Sequence, residues 1–219
     1  MNKIIRKIQY SEKVYRFDVE APLIAKSRKA GNFVIIRVDA NSERMPLTIA
    51  DADIEKGTIT LVVQKVGLSS TKLCNLNEGD EIHDVVGPLG NPTHIENFGT
   101  VLCAGGGVGV APMLPIIKAL KAAGNRVLSV IAGRSKDLVI MEDEVRASSD
   151  ELIIMTDDGS YGEKGVVTVG MEKLIQQEHI DKAFAIGPPI MMKFCCLLTQ
   201  KYNLPTDVSL NTIMVDGTG

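Results

Sequence analysis

The first half of the chain alternates short apolar and β-branched runs with turn residues. The runs cover residues 4–10, 14–19, 33–38, 58–66 and 81–86. Between them stand Ala21-Pro22, Gly31-Asn32, Asn41-Ser42, Glu55-Lys56-Gly57 and Asn77-Glu78-Gly79-Asp80. Strand-length runs at this spacing, with turn chemistry between them, predict a small antiparallel β-barrel over residues 1–97. One helical stretch interrupts it at residues 69–76, with Ser69 or Ser70 as N-cap. From about residue 98 the rhythm changes. Strand-like runs at 101–104, 126–132, 152–156 and 183–186 alternate with helical patterns at 113–123, 141–147, 169–177 and 190–201. Strand and helix in alternation predict a parallel α/β sheet over residues 98–219. The join at Asn97-Phe98-Gly99 is short, so the two domains are expected to pack directly with a cleft between them.

The second half carries the clearest chemical signal. A buried strand runs into Gly105-Gly106-Gly107-Val108-Gly109-Val110-Ala111-Pro112, and a helix follows, with Pro112 at its expected start. A strand, a glycine turn and a helix N-terminus aim free N–H groups at an anion. The dinucleotide fingerprint G-x-G-x-x-G stops short, because Gly105 and Gly107 are followed by Val110, leaving Gly107-x-Gly109-x-x-Pro112. The acid usually found about twenty residues on is replaced by Gly133-Arg134-Ser135. An ordinary glycine-rich turn is the competing reading. Against it, the loops at 105–109, 133–136, 157–165 and 187–189 all contain glycine and leave the same predicted sheet edge, where ligands of parallel sheets bind.

The barrel half offers two more candidates. In Arg44-Met45-Pro46-Leu47-Thr48, which closes a predicted strand, Arg44 can clamp a diphosphate and Thr48 can bond a heteroaromatic edge. In Gly67-Leu68-Ser69-Ser70-Thr71, glycine permits close approach and hydroxyls stand at a helix start. A surface arginine and plain helix capping are the ordinary alternatives.

Composition narrows the classes. The 219 residues suffice for one large domain or two small ones, and a net charge of -3 gives no reason to expect nucleic acid or an anionic membrane as partner. No run reaches the roughly 20 apolar residues of a membrane span, and the N-terminus has no signal-peptide pattern. A cytoplasmic protein is expected. Cys74, Cys103, Cys195 and Cys196 form no metal-ligand spacing and are expected to be buried inert thiols. His83, His94 and His179 match no motif.

Five segments taken together resemble the ferredoxin–NADP reductase superfamily. They are residues 44–51, Gly87-Pro88-Leu89-Gly90, residues 105–112, Thr156-Asp157-Asp158-Gly159-Ser160-Tyr161-Gly162, and Gly187-Pro188-Pro189-Ile190-Met191-Met192-Lys193. Within it the chain is most similar to the small flavin subunits of the dihydroorotate dehydrogenase and NADH-dependent reduced ferredoxin:NADP oxidoreductase types. The resemblance covers essentially the whole chain. It implies a barrel holding FAD and an α/β domain holding NAD(H) or NADP(H), with hydride transfer between them and electrons passed on to an iron–sulfur centre. The flavin carries that chemistry, so no catalytic acid–base pair is implied.

Position by position, the resemblance implies that Arg44 binds the FAD diphosphate and Thr48 faces the flavin ring, with Pro46, Leu47 and Val66 beside them. Gly67, Ser69, Ser70 and Thr71 complete the phosphate site. Gly107 and Gly109 receive the nucleotide pyrophosphate, with Gly106, Val108 and Pro112 around them. Arg134, next to Gly133, lies by the adenosine ribose. Asp157, Asp158, Gly159, Gly187, Pro188 and Met191 frame the nicotinamide end. Arg134-Ser135 would suit a 2′-phosphate, whereas the resembled subunits favour NAD(H). Leu47 fills a place commonly held by tyrosine, and Ile186 one commonly held by cysteine. Relatives continue past Asp216-Gly217-Thr218-Gly219 into a cysteine-rich loop that ligates a [2Fe-2S] cluster. Residues 1–219 supply no such ligands, so the chain reads as truncated there. A larger catalytic flavoprotein or iron–sulfur subunit is the implied partner, with ferredoxin as another. The alternatives are a dihydroorotate dehydrogenase electron-transfer subunit and a non-enzymatic nucleotide-binding redox sensor.

Overall fold

The computed structural model describes residues 2–210, which form two compact units, 2–93 and 94–210. The expectations placed on residues 216–219 lie outside the described residues.

The first unit is a nearly closed antiparallel barrel. Its elements are β1 (Asn2–Gln9), β2 (Val14–Glu20), α1 (Pro22–Ser27), β3 (Phe33–Arg37), β4 (Met45–Asp53), β5 (Thr58–Gln64), α2 (Leu68–Asn75), β6 (Glu81–Ile82) and β7 (Asp84–Leu89). The seven strands pair in the order β6-β1-β2-β5-β4-β3-β7. Alternate residues point inward, so Ile4, Phe17, Val19, Val34, Ile36, Ile49, Ile59, Leu61 and Val63 form the core. Two expectations change here. Ala21-Pro22 opens helix α1 instead of a turn, because proline at the first helical position has no N–H to lose. The Arg44–Thr48 segment begins a strand instead of closing one. In β4 the pairing with β5 slips between Ile49 and Asp51, and this bulge buries both Ile49 and Ala50.

Lys7 fixes helix α2 to the barrel. Its ammonium donates to the carbonyls of Cys74 (2.8 Å) and Leu76 (2.7 Å) at the helix C-terminus. Those carbonyls have no partner within the helix, and a cation suits the negative dipole end.

The second unit contains β8 (Thr100–Gly106), α3 (Val110–Ala122), β9 (Arg126–Gly133), α4 (Glu142–Ser148), β10 (Glu151–Thr156), β11 (Glu163–Lys164), α5 (Val167–Gln177), β12 (Lys182–Ile186), α6 (Pro189–Lys201) and β13 (Thr206–Val208). Six parallel strands lie in the order β11-β10-β9-β8-β12-β13. The short β11 and β13 add to the predicted four. The chain runs from β8 through α3 to β9 and through α4 to β10, then crosses back by α5 to β12 on the other side of β8; α3 packs with α4 and α5 with α6. Leu102, Ala104, Leu128, Val130, Met155, Met171, Leu174, Ala185 and Cys195 are buried in one cluster. Helix α3 starts at Val110, two residues before Pro112, which therefore sits in the first turn where N–H groups are free anyway; the helix also runs through Pro115. Buried Asn125 joins the start of the unit to the end of α3. Its amide donates to the carbonyls of Glu96 and Leu120 (both 2.8 Å) and accepts from the N–H groups of Phe98 (2.7 Å) and Gly99 (3.2 Å).

Candidate functional site

In the barrel unit, side chains tie the loop before β4 to α2. Ser69 donates to Glu43 (3.1 Å), and Lys72 donates to Asp39 (3.1 Å) and Ser42 (3.3 Å). The hydrogen bonds from Ser42 and Lys72 hold the Asp39 carboxyl below its ordinary pKa. This clamp brings the neighbourhood of Arg44 to the start of α2, uniting the two phosphate-type candidates of the barrel. Arg44 is exposed and makes no ion pair among the described residues. Gly67 is the N-cap, and a Cβ there would meet nothing within 4 Å, so the helix start opens onto free space.

Ser70 makes the capping bonds that are the ordinary alternative for this segment. It is buried, and its hydroxyl accepts from the N–H groups of Val66 (3.0 Å) and Gly67 (2.9 Å) while donating to the Gly67 carbonyl (3.1 Å). All of its capacity is used in holding the turn, so it shapes the site from beneath. The N–H of Thr71 closes the first helical turn on the Gly67 carbonyl (2.9 Å), and Val66 is exposed beside it.

Register places the rest of the barrel candidates. Thr48 lies opposite Phe33, which lies opposite Leu89, while Pro46 lies opposite Ile35, which lies opposite Val86. Thr48 thus shares a face with the Gly87–Gly90 segment across β3. Pro46 is exposed, whereas Leu47 points the other way and packs on the barrel core. Gly90 has φ +80, and a Cβ there would sit 2.8 Å from the Phe33 ring, so only glycine fits. Asn32 locks this end by donating to the carbonyls of Leu89 (3.1 Å) and Gly90 (2.9 Å).

In the second unit, β8 leads to β9 on one side and neighbours β12 on the other. The strand order reverses between β8 and β12, where open parallel sheets bind ligands. Gly109 fits tightly there: a Cβ would lie 2.5 Å from the Ile186 oxygen and 2.7 Å from the Gly187 Cα. Above them rests the Met191 thioether. A Cβ on Gly187 would be 2.8 Å from its sulfur, and one on Gly106 would collide with the same atom, with Pro188 next to it. Gly107 has φ +54 and open space above it, and no side chain caps Gly106 or Gly109. Gly107, half-buried Val108 and buried Gly109 form a 3₁₀ turn that delivers the chain to α3. The result is an uncovered helix N-terminus suited to an anion.

Strands β9 and β10 bring the remaining candidates alongside. The N–H of Asp157 donates to the Gly133 carbonyl (3.1 Å), and that of Asp158 to the Arg134 carbonyl (3.2 Å). Asp158 accepts from the Ser160 N–H (2.9 Å), and its bonds with Ser160 lower its pKa. Gly159 has φ +76 and rests on the Lys164 side chain. Four further residues complete this corner. Tyr161 donates to Glu142 (2.9 Å), the Lys136 ammonium lies 5.3 Å above the Tyr161 ring, and Arg146 pairs with Glu142 (2.8 Å). The bond to the Glu142 carboxylate raises the Tyr161 pKa. Lys136 has a sequence signal, being the second cation of Arg134-Ser135-Lys136. The Tyr161–Glu142 pair, 19 residues apart, has none.

The candidates therefore form two groups, one in each unit. Among the described residues, no group of three His, Cys, Asp or Glu side chains is placed to hold a metal ion. No helix among them is long and apolar enough to cross a membrane. Cys74, Cys103 and Cys195 are buried as expected, but Cys196 is only half-buried, because it lies between the inner and outer sides of α6.

No family model matches the chain. Over its full 219 residues it is 50% identical to the dihydroorotate dehydrogenase B (NAD(+)) electron transfer subunit homolog of Thermotoga maritima, spanning 77% of that protein. It is 31% identical over 194 residues to the dihydroorotate dehydrogenase B (NAD(+)) electron transfer subunit of Fusobacterium nucleatum, an alignment covering 85% of this chain and 74% of the relative. A chain from the structure of NADH-dependent reduced ferredoxin–NADP oxidoreductase, solved for insight into flavin-based electron bifurcation, superposes with a TM-score of 0.94. Its sequence is 47% identical, and the match covers 100% of this chain and 79% of that one. The ferredoxin reductase-like fold and the full-length identity agree, and the chain belongs to the family of dihydroorotate dehydrogenase B electron transfer subunits and their homologs.

Proposed function

We propose that this chain is the FAD- and NAD(P)H-binding subunit of an electron-transfer oxidoreductase. Residues 1–97 would bind FAD and residues 98–219 the nicotinamide nucleotide. The observation that carries the reading is the pair of open anion sites, one per unit, at Gly67 with Arg44 and at Gly107 with Gly109. Exposed Arg44 and the free start of α2 fit a diphosphate, Ser69 and Thr71 stand at that start, and Thr48 fits a polar edge of a flat ring. When bound, FAD takes a hydride and releases electrons singly. The protein's part is to bind and orient. Gly107 and Gly109 would hold the pyrophosphate, Arg134 the ribose end, and Asp157, Gly159, Gly187 and Met191 the nicotinamide end.

We take NAD(H) as the nucleotide, by the NAD(+) in the curated relatives' names; the name of the similar structure carries both NADH and NADP. A larger catalytic flavoprotein or iron–sulfur subunit would receive the electrons, in the cytoplasm. The described residues do not fit an iron–sulfur cluster, so no step is assigned to one within them. A second reading, electron transfer specifically to a dihydroorotate dehydrogenase, is favoured by the Thermotoga maritima relative.

Anaerobic titration of the purified protein with NADH, then NADPH, tests the proposal. The expected result is a flavin spectrum bleached by NADH at lower concentration than by NADPH. A colourless protein that added FAD does not reconstitute would overturn it.

A further inference from the structure

Helix α6 is apolar on two opposite sides. Inward, Met192, Cys195 and Leu198 are buried against the sheet. Outward, Ile190, Phe194 and Leu197 stand 62%, 53% and 45% exposed. Their i, i+4, i+7 spacing makes one continuous stripe. A helix apolar all round is ordinarily covered on both sides. The charges carried by the helix itself are of one sign; the neighbouring carboxylate, Glu172 of α5, accepts from the Tyr202 hydroxyl (3.0 Å) just past the helix end. No Asp or Glu occurs between Gly187 and Leu204, whereas Lys193 flanks the stripe and Lys201 continues its line. Both lysines are exposed and make no ion pair among the described residues. This local positive charge runs against a chain of net charge -3.

We propose that this face docks a protein partner presenting an apolar ridge rimmed by Asp and Glu carboxylates. Pairing with a second copy of the chain is disfavoured, because it would gather four lysines with no carboxylate on the helix to answer them. One helical stripe is also small beside the roughly 800 Å² per partner of a stable interface, which fits a contact helped by charge. The proposal rests on the reading of this chain as one subunit of a larger assembly.

The test is zero-length carbodiimide cross-linking of the native assembly, purified at low salt through a tag on this chain, with peptide mapping. The expected product joins Lys193 or Lys201 to an Asp or Glu of a different polypeptide, and acetylation of both lysines falls at least fivefold relative to exposed Lys26. Phe194→Asp is expected to raise the dissociation constant of that partner at least tenfold, with the melting temperature and the NADH-reducible spectrum unchanged. Cross-links only between copies of this chain, capture by phosphatidylglycerol vesicles, or a partner retained with both lysines fully reactive would each overturn the proposal. A flavin-containing chain that purifies with no partner would overturn both the docking face and the subunit reading. Partner capture through another surface would overturn the docking face alone.

Discussion

Gly109→Ala tests the geometry on which the nucleotide site depends. Gly109 has φ -65, which alanine adopts freely, so any effect comes from space alone. The added methyl would lie 2.5 Å from the Ile186 oxygen, about 0.9 Å inside ordinary contact, and 2.7 Å and 2.8 Å from two further atoms. All three are backbone atoms, two of Ile186 at the end of β12 and one of Gly187, and none can rotate away. The β8 and β12 ends must therefore separate, at the cost of about 1–3 kcal/mol typical of overpacking. Because the same separation pulls Gly106 and Gly187 apart under Met191, affinity for the nucleotide should fall by about 5- to 150-fold. Gly107→Ala is the counterpart. Nothing lies within 4 Å of its Cβ, but φ +54 costs alanine about 1 kcal/mol. It should leave the loops in place while intruding on the open anion site. Urea denaturation and calorimetric titration with ADP-ribose separate the two effects. Gly109→Ala with unchanged midpoint and affinity within twofold of the parent would show that the loops do not approach as described.

Three more perturbations reach other parts of the fold. Lys7→Met should destabilise the barrel by about 2 kcal/mol in urea denaturation, because two carbonyls at the end of α2 lose a charged donor. In a thiol titration, half-buried Cys196 should react in the native protein while Cys74, Cys103 and Cys195 wait for unfolding. Burial raises all three of those thiols, with Cys195 pushed up to about 12. The bond from Lys121, with that from the Val127 N–H, holds the Asp150 pKa below its ordinary value. A carboxyl lowered in the folded state stabilises at neutral pH and loses that contribution as pH falls below about 4. Melting curves between pH 3 and 7 should accordingly show a smaller acid-side loss for Asp150→Asn than for the parent.

Much of this architecture is legible in the sequence, and the gaps have physical causes. Runs with strong β character, such as 58–64, and the glycine turn after β8 announce themselves through local chemistry. Strand β4 does not: Met-Pro-Leu-Thr-Ile-Ala-Asp-Ala-Asp is a poor strand sequence. It is held extended by neighbours on both edges and by the bulge at Ala50. Ser70 illustrates a different limit. A hydroxyl at a helix start can serve a ligand or the turn itself, and only the positions of Val66 and Gly67 decide between them. Tyr161, in the loop after β10, meets Glu142 at the start of α4, a contact that no periodicity encodes.

The bonds from Lys7 to the end of α2 also order the folding of this unit during synthesis. Strand β1 emerges before the rest of its unit, yet Lys7 finds its acceptors only at Cys74 and Leu76, and Asn2 pairs with Ile82. Strand β1 can thus find only its β2 partner until β6 has emerged, and it waits with an unpaired edge. Barrel closure is then a late event that joins the two ends of the unit at once. During that interval the nascent chain is most open to mispairing, and a pause placed after residue 82 would relieve it more than any pause before.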